Sequence, residues 1–386
     1  MNNFGSQKAL SFTESVIREM TRICIEYKGI NLAQGFPDFP APAEIKEEAV
    51  NAILGDFNQY SITWGTPLLR RAIADKFAQY NGVHVDPEKE ITVCCGSTEG
   101  MISSLMAIVD PGEEVIIFEP FYENYGPDSI LCGAVPRFVA LHEPDWRFDE
   151  KELSQAFNNK TKAIVINTPN NPTGKVFSKE ELDFIAGLCQ KWGVVAVTDE
   201  IYEHILYDGA EHISIASIPG MEGRTITINS ISKTYSLTGW RVGWAIASPA
   251  ITASIRKVHD FLTVGAPHPL QEAAVRALKM EQSYYQQLAS EYRQKRDFFF
   301  STLTDARFKA FKPRGAYYIM TDVSHLGYTD DVAFALKLVK EAGVATVPGS
   351  AFYSRPDLGR AKVRFCFPKK METLEAAAER LLRFKT

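Results

Sequence analysis

Lys233 closes the run Ser230-Ile231-Ser232-Lys233, directly after the apolar stretch Thr225-Ile226-Thr227-Ile228. A lysine at the mouth of a buried strand is a costly placement, because desolvation disfavours its charged form. What the placement provides is a neutral amine, the form that condenses with an aldehyde. Ser230, three residues back, and Arg241, eight residues on, offer a hydroxyl and a bidentate guanidinium, which suit a phosphate. Taken alone, the spacing also describes a surface lysine on a loop beside a helix start, so the neighbouring residues must decide.

Four other places carry chemistry-bearing types. Gly96-Ser97-Thr98 follows the apolar run from Ile91 to Cys95 and offers small side chains and backbone N–H groups at a helix start, the requirements of an anion cradle. The same triplet also reads as an ordinary turn with a Ser/Thr cap. Asp199 ends Val194-Val195-Ala196-Val197-Thr198, so its carboxylate lies at the buried end of a strand and needs a partner. Asn170-Asn171-Pro172 reads as a turn. Arg364, within Val363-Arg364-Phe365, is a lone charge in an apolar strand pattern, usually an edge-facing and solvated arrangement.

The elements that must position these residues follow from apolar runs alternating with amphipathic stretches, the pattern of a mainly parallel sheet covered by helices. Strands are expected at 91–95, 114–118, 135–140, 162–167, 194–198, 225–228 and 242–247, with helices at 98–109, 124–132, 178–192 and 250–261. A helix-rich stretch to about residue 303 follows, then a shorter α+β pattern with strands at 316–320, 344–347 and 362–367 and a closing helix at 372–384. This gives a large α/β domain over 45–275 and a smaller domain from 276–386 with the N-terminal segment 1–44. Gly96-Ser97, Asn167, Asp199 and Ser230 each stand at the carboxyl end of an expected strand, where open α/β sheets bind ligands.

The lysine run resembles the lysine motif of the class I aminotransferases, pyridoxal-phosphate enzymes of fold type I. Gln34-Gly35-Phe36-Pro37-Asp38-Phe39, Gly96-Ser97-Thr98, Asn167-Thr168-Pro169-Asn170-Asn171-Pro172-Thr173-Gly174, Asp199-Glu200-Ile201-Tyr202 and Val363-Arg364-Phe365 match the same family in order, across almost the whole chain. The resemblance implies pyridoxal 5'-phosphate held by Lys233, with Ser97, Thr98, Ser230 and Arg241 on its phosphate, Gly96 in the same turn, and Ser232 beside them. Asp199 would pair with the pyridine nitrogen, and Tyr202 and Asn171 with the ring oxygen. Asn167 would lie near the ring and Tyr122 would stack on it. Arg364 and Gly35 would meet the substrate α-carboxylate, Asn171 would also contact the substrate, and Tyr60 would reach the phosphate of a neighbouring subunit in a homodimer. Lys233, Asp199 and Tyr202 are the residues expected to carry the reaction, a ping-pong exchange of an amino group between an amino acid and a 2-oxo acid.

Composition narrows the alternatives. A chain of 386 residues exceeds what one core usually serves, and its formal charge of -5 gives no reason to expect nucleic acid or an anionic membrane as partner. No apolar run approaches a membrane span, and Met1 to Leu10 lacks a signal-peptide pattern, so a cytoplasmic protein is expected. Six scattered cysteines read as core residues, and seven histidines without metal-ligand spacing argue against a bound metal. Adjacent Cys94 and Cys95 would point to opposite faces of a strand and read as packing residues. A β-lyase on the same scaffold, such as a cysteine-conjugate β-lyase, is the rival activity. A ligand-sensing module lacks room for a DNA-binding segment ahead of the fold, and Ser232 stands where several decarboxylase families carry His. The Gln34–Phe39 segment resembles the kynurenine, glutamine and methionine transaminases, which suits a neutral or aromatic donor. An aspartate preference is the alternative, for which Arg314 is the candidate cation.

Overall fold

The structure, a computed structural model, describes residues 4–384. Its central element is an eight-stranded sheet in the order Ile91–Cys94, Gly243–Ala247, Thr225–Ser230, Val195–Asp199, Thr161–Asn167, Glu114–Glu119, Val135–His142, Arg147–Phe148. The five strands from Thr225–Ser230 to Val135–His142 pair in parallel; Gly243–Ala247 runs against both its neighbours, and Arg147–Phe148 is an antiparallel edge. The central strands are apolar on both faces because helices cover both. Val115, Ile117, Val165, Val197 and Ile226 face the layer of the helices Gly96–Ile108 and Pro249–Leu262, while Ile116, Phe118, Ile164, Ile166 and Ala196 face the helix Lys179–Trp192. That last helix begins in a Ser178–Glu181 capping box and ends at Gly193, whose φ of 70° needs no side chain.

Strand register fixes the rim. Asn167 lies opposite Asp199, Asp199 opposite Ile228, and Ser230 opposite Gly243. The carboxyl-end residues singled out above therefore arrive at one edge of the sheet.

A second, antiparallel sheet runs Lys309–Ala310, Tyr318–Asp322, Lys362–Cys366, Val347–Pro348. Phe299, Leu303, Phe334, Leu338 and Phe365 form its core with the helices Gln282–Asp305, Asp331–Glu341 and Met371–Arg383. The expected strand at 316–320 starts two residues later, because Ala316 turns at φ 55° and gives its N–H to the Ile205 carbonyl. The expected strand at 344–347 divides in two: Val344–Ala345 pairs in parallel with Ile30–Asn31, and Val347–Pro348 joins the second sheet. The N-terminal segment is thereby drawn alongside the C-terminal strands, and the Cys366 N–H donates to the Leu32 carbonyl at 2.9 Å. The two-residue strands Ile30–Asn31 and Arg147–Phe148 are too short to show an alternation in sequence. Among the described residues, no helix is long and apolar enough to cross a membrane.

Candidate active site

Lys233 lies in the loop beyond the strand Thr225–Ser230, where that strand's register delivers it to the rim. Its Nζ donates to the Gly35 carbonyl at 3.3 Å and stands 5.9 Å from the ring centroids of Tyr202 and Tyr317. Burial lowers its pKa to about 8, and the neighbouring charges of Arg241 and Arg364 push the same way against the opposing pull of Asp199. An amine so placed has a substantial neutral fraction at physiological pH.

Asp199, 5% exposed at its strand end, is pushed up to about 6 by burial. The Tyr125 hydroxyl donates to its Oδ2 at 2.7 Å and the Ile201 N–H to Oδ1 at 3.4 Å, both favouring the charged form. The carboxylate is thus partly solvated by protein and still short of a cationic partner. Below it, the Asn167 amide donates to the Asp199 backbone carbonyl at 2.9 Å and accepts the Asn171 N–H at 2.7 Å. The Tyr202 and Tyr318 hydroxyls lie 2.8 Å apart.

Arg364 is fully buried in the middle of its strand, opposite Met320 and Val347, and is no edge residue. Nη1 donates to Asn171 Oδ1 at 2.8 Å, Nη2 donates to the Ala33 carbonyl, and Nε has no partner among the described residues. Tyr318 and Phe352 hold the guanidinium at 4.3 and 4.8 Å from their ring centroids. All these partners are neutral. A buried, permanently charged group without an anion is costly unless a ligand supplies one, and a planar fork matches a carboxylate.

The turn at Gly96 opens the helix Gly96–Ile108 with φ 78°, and a Cβ there would lie 2.3 Å from Arg241 Nη2. Only glycine lets the guanidinium approach this turn. Arg241 is exposed, itself left-handed at φ 55°, and donates to the Thr238 and Cys95 carbonyls at 2.9 and 3.4 Å. Its charge is bound to backbone only. The buried Ser232 hydroxyl has no partner among the described residues.

One cavity of about 100 Å³ collects these groups. Ser97, Thr98, Tyr122, Asn167, Asn171, Asp199, Tyr202, Ser232, Lys233 and Arg241 line it. Gly96, Ser230, Gly35 and Arg364 stand just behind the lining, Ser230 with its Oγ accepting the Ser232 N–H at 3.3 Å. Tyr60 does not join them. It is 87% exposed beside a separate cavity shared with Gln59, Cys95, Val264 and His268. Arg314 is exposed and lines another cavity with Lys312 and Glu181. Four lining residues were given no role from the sequence: Tyr125, Ile201, Thr238 and Tyr318. Ile201 lies inside the Asp199–Tyr202 segment and Thr238 three residues before Arg241, so proximity in sequence was the available signal.

The donor set fits pyridoxal phosphate. A neutralisable amine, an under-partnered carboxylate and a serine hydroxyl without a partner among the described residues face one cavity with a guanidinium bound only to backbone, beside a side-chain-free turn. These are the partners an aldehyde, a protonated ring nitrogen and a phosphate require. Comparison with known proteins agrees with that chemistry. The family described as aminotransferase class I and II matches residues 27–381. Human kynurenine–oxoglutarate transaminase 1 is 38% identical over 95% of both chains, and the methionine aminotransferase of Escherichia coli K12 is 35% identical over 95% of both. The solved structure of N-succinyldiaminopimelate aminotransferase from Mycobacterium tuberculosis superposes with a TM-score of 0.95 at 36% identity, covering 98% of this chain and 99% of that one. The fold is fold type I, and the chain belongs to the class I and II aminotransferases, enzymes that transfer amino groups with pyridoxal phosphate.

Proposed function

We propose that this aminotransferase takes its amino group from a neutral or aromatic L-amino acid and passes it to a 2-oxo acid by a ping-pong route. When bound, the cofactor supplies an aldehyde for the amino group and a protonated ring that withdraws electrons from the substrate α-carbon. Lys233 would hold the aldehyde, and its Nζ, once free, would take the α-proton as general base and deliver it as general acid to the cofactor carbon that had carried the aldehyde. Asp199, ionised and steadied by Tyr125, keeps the ring nitrogen protonated. Tyr202 and Asn171 hold the ring oxygen, Tyr122 covers the ring face, and Asn167 fixes both Asp199 and Asn171. Ser97, Thr98, Ser230, Ser232 and Arg241 cradle the phosphate around the Gly96 turn. Arg364 grips the α-carboxylate with Gly35 beside it.

The observation that carries the reading is Arg364, a buried guanidinium with neutral hydrogen-bond partners among the described residues, which donates to Ala33 while Lys233 donates to Gly35 two residues on. The donor preference rests on a lining of Tyr122, Tyr202, Tyr318 and Ile201 and on Arg314 lying in a different cavity. Relatives named for kynurenine and methionine point the same way. A panel of kynurenine, phenylalanine, methionine, glutamine and aspartate, with pyruvate and 2-oxoglutarate as acceptors, tests it. Aspartate is expected to give the lowest kcat/KM; aspartate as the best donor would overturn the preference.

The working unit in this reading is a homodimer in which Tyr60 reaches the partner's phosphate. Tyr60 and Phe261 are 87% and 94% exposed, with Leu68, Ile62 and Val264 also exposed, and the cavity at Tyr60 touches Cys95, next to the Gly96 turn. An exposed apolar patch of this kind is what a partner covers. We place the large domain at 45–275 and the small one at 276–386 with 1–44, supported by the separation of the two main sheets. The six free cysteines suit a reducing compartment such as the cytoplasm.

A further inference from the structure

Behind the Gly96 turn lies a buried pair that the reaction itself does not use. Glu99, in the first turn of the helix Gly96–Ile108, accepts the Cys95 N–H on Oε2 at 2.8 Å. Its Oε1 lies 2.9 Å from Nδ1 of His259, which sits on the helix Pro249–Leu262 and is fully buried. The other ring nitrogen, Nε2, lies 2.8 Å from the Thr63 carbonyl oxygen. A carboxylate and a carbonyl both accept, so each ring nitrogen donates and His259 is an imidazolium. Hydrogen bonding to Glu99 and Thr63 raises the His259 pKa against the opposing effect of burial, the largest single influence. The titratable groups around it are Glu99 and Cys94 from the turn and Asp260 on its own helix.

The pair joins two segments 160 residues apart in sequence on one side, Glu99 to His259, and reaches the stretch after Tyr60 on the other. Cys95, at the helix cap, has no side-chain cap bond, so Glu99 is the side chain that fixes the N–H before Gly96. We propose that His259 and Glu99 are positioning residues that set the affinity of the Cys95-Gly96-Ser97 turn for the cofactor phosphate and lock that turn to the Thr63 segment. The proposal rests on the reading of that turn as the phosphate cradle.

The test compares apo-protein variants by their dissociation constants for pyridoxal phosphate, for pyridoxal without the phosphate, and for inorganic phosphate. His259→Leu takes away the imidazole partner of Glu99 Oε1 and is expected to weaken pyridoxal phosphate and inorganic phosphate about tenfold, as the loss of charge-assisted bonds would. Pyridoxal, which does not use the cradle, should change less than about twofold. Glu99→Gln can keep all three bonds with a neutral imidazole, its carbonyl on the Cys95 N–H and its amide on Nδ1. It should therefore bind pyridoxal phosphate within about threefold of the unaltered protein. If His259→Leu does not fold, His259→Asn, which keeps the donor to Glu99 and loses Thr63, takes its place with the same selectivity expected. Equal losses for pyridoxal and its phosphate, or no loss, would overturn the proposal, as would failure of Glu99→Gln to retain affinity. Nitrogen-15 NMR of the unaltered protein should show both His259 nitrogens protonated at neutral pH; a neutral ring would also overturn it. Ser97→Ala and Arg241→Ala separate this inference from its foundation. If neither selectively weakens the phosphorylated ligand, the cradle reading fails; if they do and the His259 variants do not, only the present inference fails.

Discussion

Removing the Tyr125 hydroxyl should move the pH at which the protein accepts its cofactor. The 2.7 Å bond from Tyr125 to Asp199 Oδ2 is charge-assisted, in a site where Asp199 is 5% exposed and its pKa already stands at about 6. Hydrogen bonds to charged groups contribute about 1.5–3 kcal/mol, so Tyr125→Phe should raise the Asp199 pKa by roughly one to two. Cofactor binding in the proposed arrangement needs the ionised carboxylate against a protonated ring nitrogen. Affinity is therefore lost as pH falls through the apo-protein's Asp199 pKa, and that limb should move from near 6 toward neutrality in the variant. The sign for stability is opposite. A carboxyl held above its unfolded value binds more protons when folded, so apo-protein stability falls as pH rises from 3.8 to about 6, by about 3 kcal/mol from this group. In Tyr125→Phe that decline should continue to higher pH. Equilibrium titration of apo-protein with pyridoxal phosphate across pH 5–9, together with thermal melts over the same range, reads both. A loss of affinity equal at every pH, with the limb unmoved, would show that Tyr125 does not act through Asp199.

Three further outcomes are expected. Lys233→Ala should fold and lose transamination, read by single-turnover rates and the absorbance of the lysine-bound cofactor; rapid turnover would remove Lys233 from its role. Arg364→Lys replaces a stacked, forked cation by a point charge and should raise KM for every amino and oxo acid by about tenfold or more, measured across the donor panel. An effect confined to aspartate would mean that the arginine reads a side chain. Mixing Tyr60→Ala with Lys233→Ala under subunit exchange should restore activity to mixed dimers, provided Tyr60→Ala alone is severely impaired; a dead mixture after verified exchange would place Tyr60 outside any shared site.

The rim of the sheet was legible because each of its residues is announced locally. Gly96, Asn167, Asp199 and Ser230 follow apolar runs, and strands that run in one direction end at one edge, so their convergence needed no knowledge of distant contacts. Arg364 was visible as an anomaly, a charge in an apolar strand, but its burial depends on Asn171, Ala33, Tyr318 and Phe352 arriving from four other places in the chain. Tyr125 and Tyr318 escaped because side-chain direction at a helix start or after a turn is set by backbone geometry that periodicity does not encode. Glu99 and His259 looked unremarkable apart, and no local pattern links residues whose bond closes across 160 positions.

The pairing of Ile30–Asn31 with Val344–Ala345 has a consequence for the order in which the protein acquires its abilities. Synthesis proceeds from the N-terminus, so every residue of the phosphate turn and ring side, up to Arg241, is made before the strand Lys362–Cys366 exists. The Ala33 and Gly35 carbonyls are made before the cradle, and the guanidinium that meets Ala33 is made after it. A chain cut short before residue 362 would carry the cradle and the lysine and still have no grip on a carboxylate. Grip on the carboxylate that all the substrates share is therefore acquired after the cofactor cradle, when the strand Lys362–Cys366 meets the segment around Ala33.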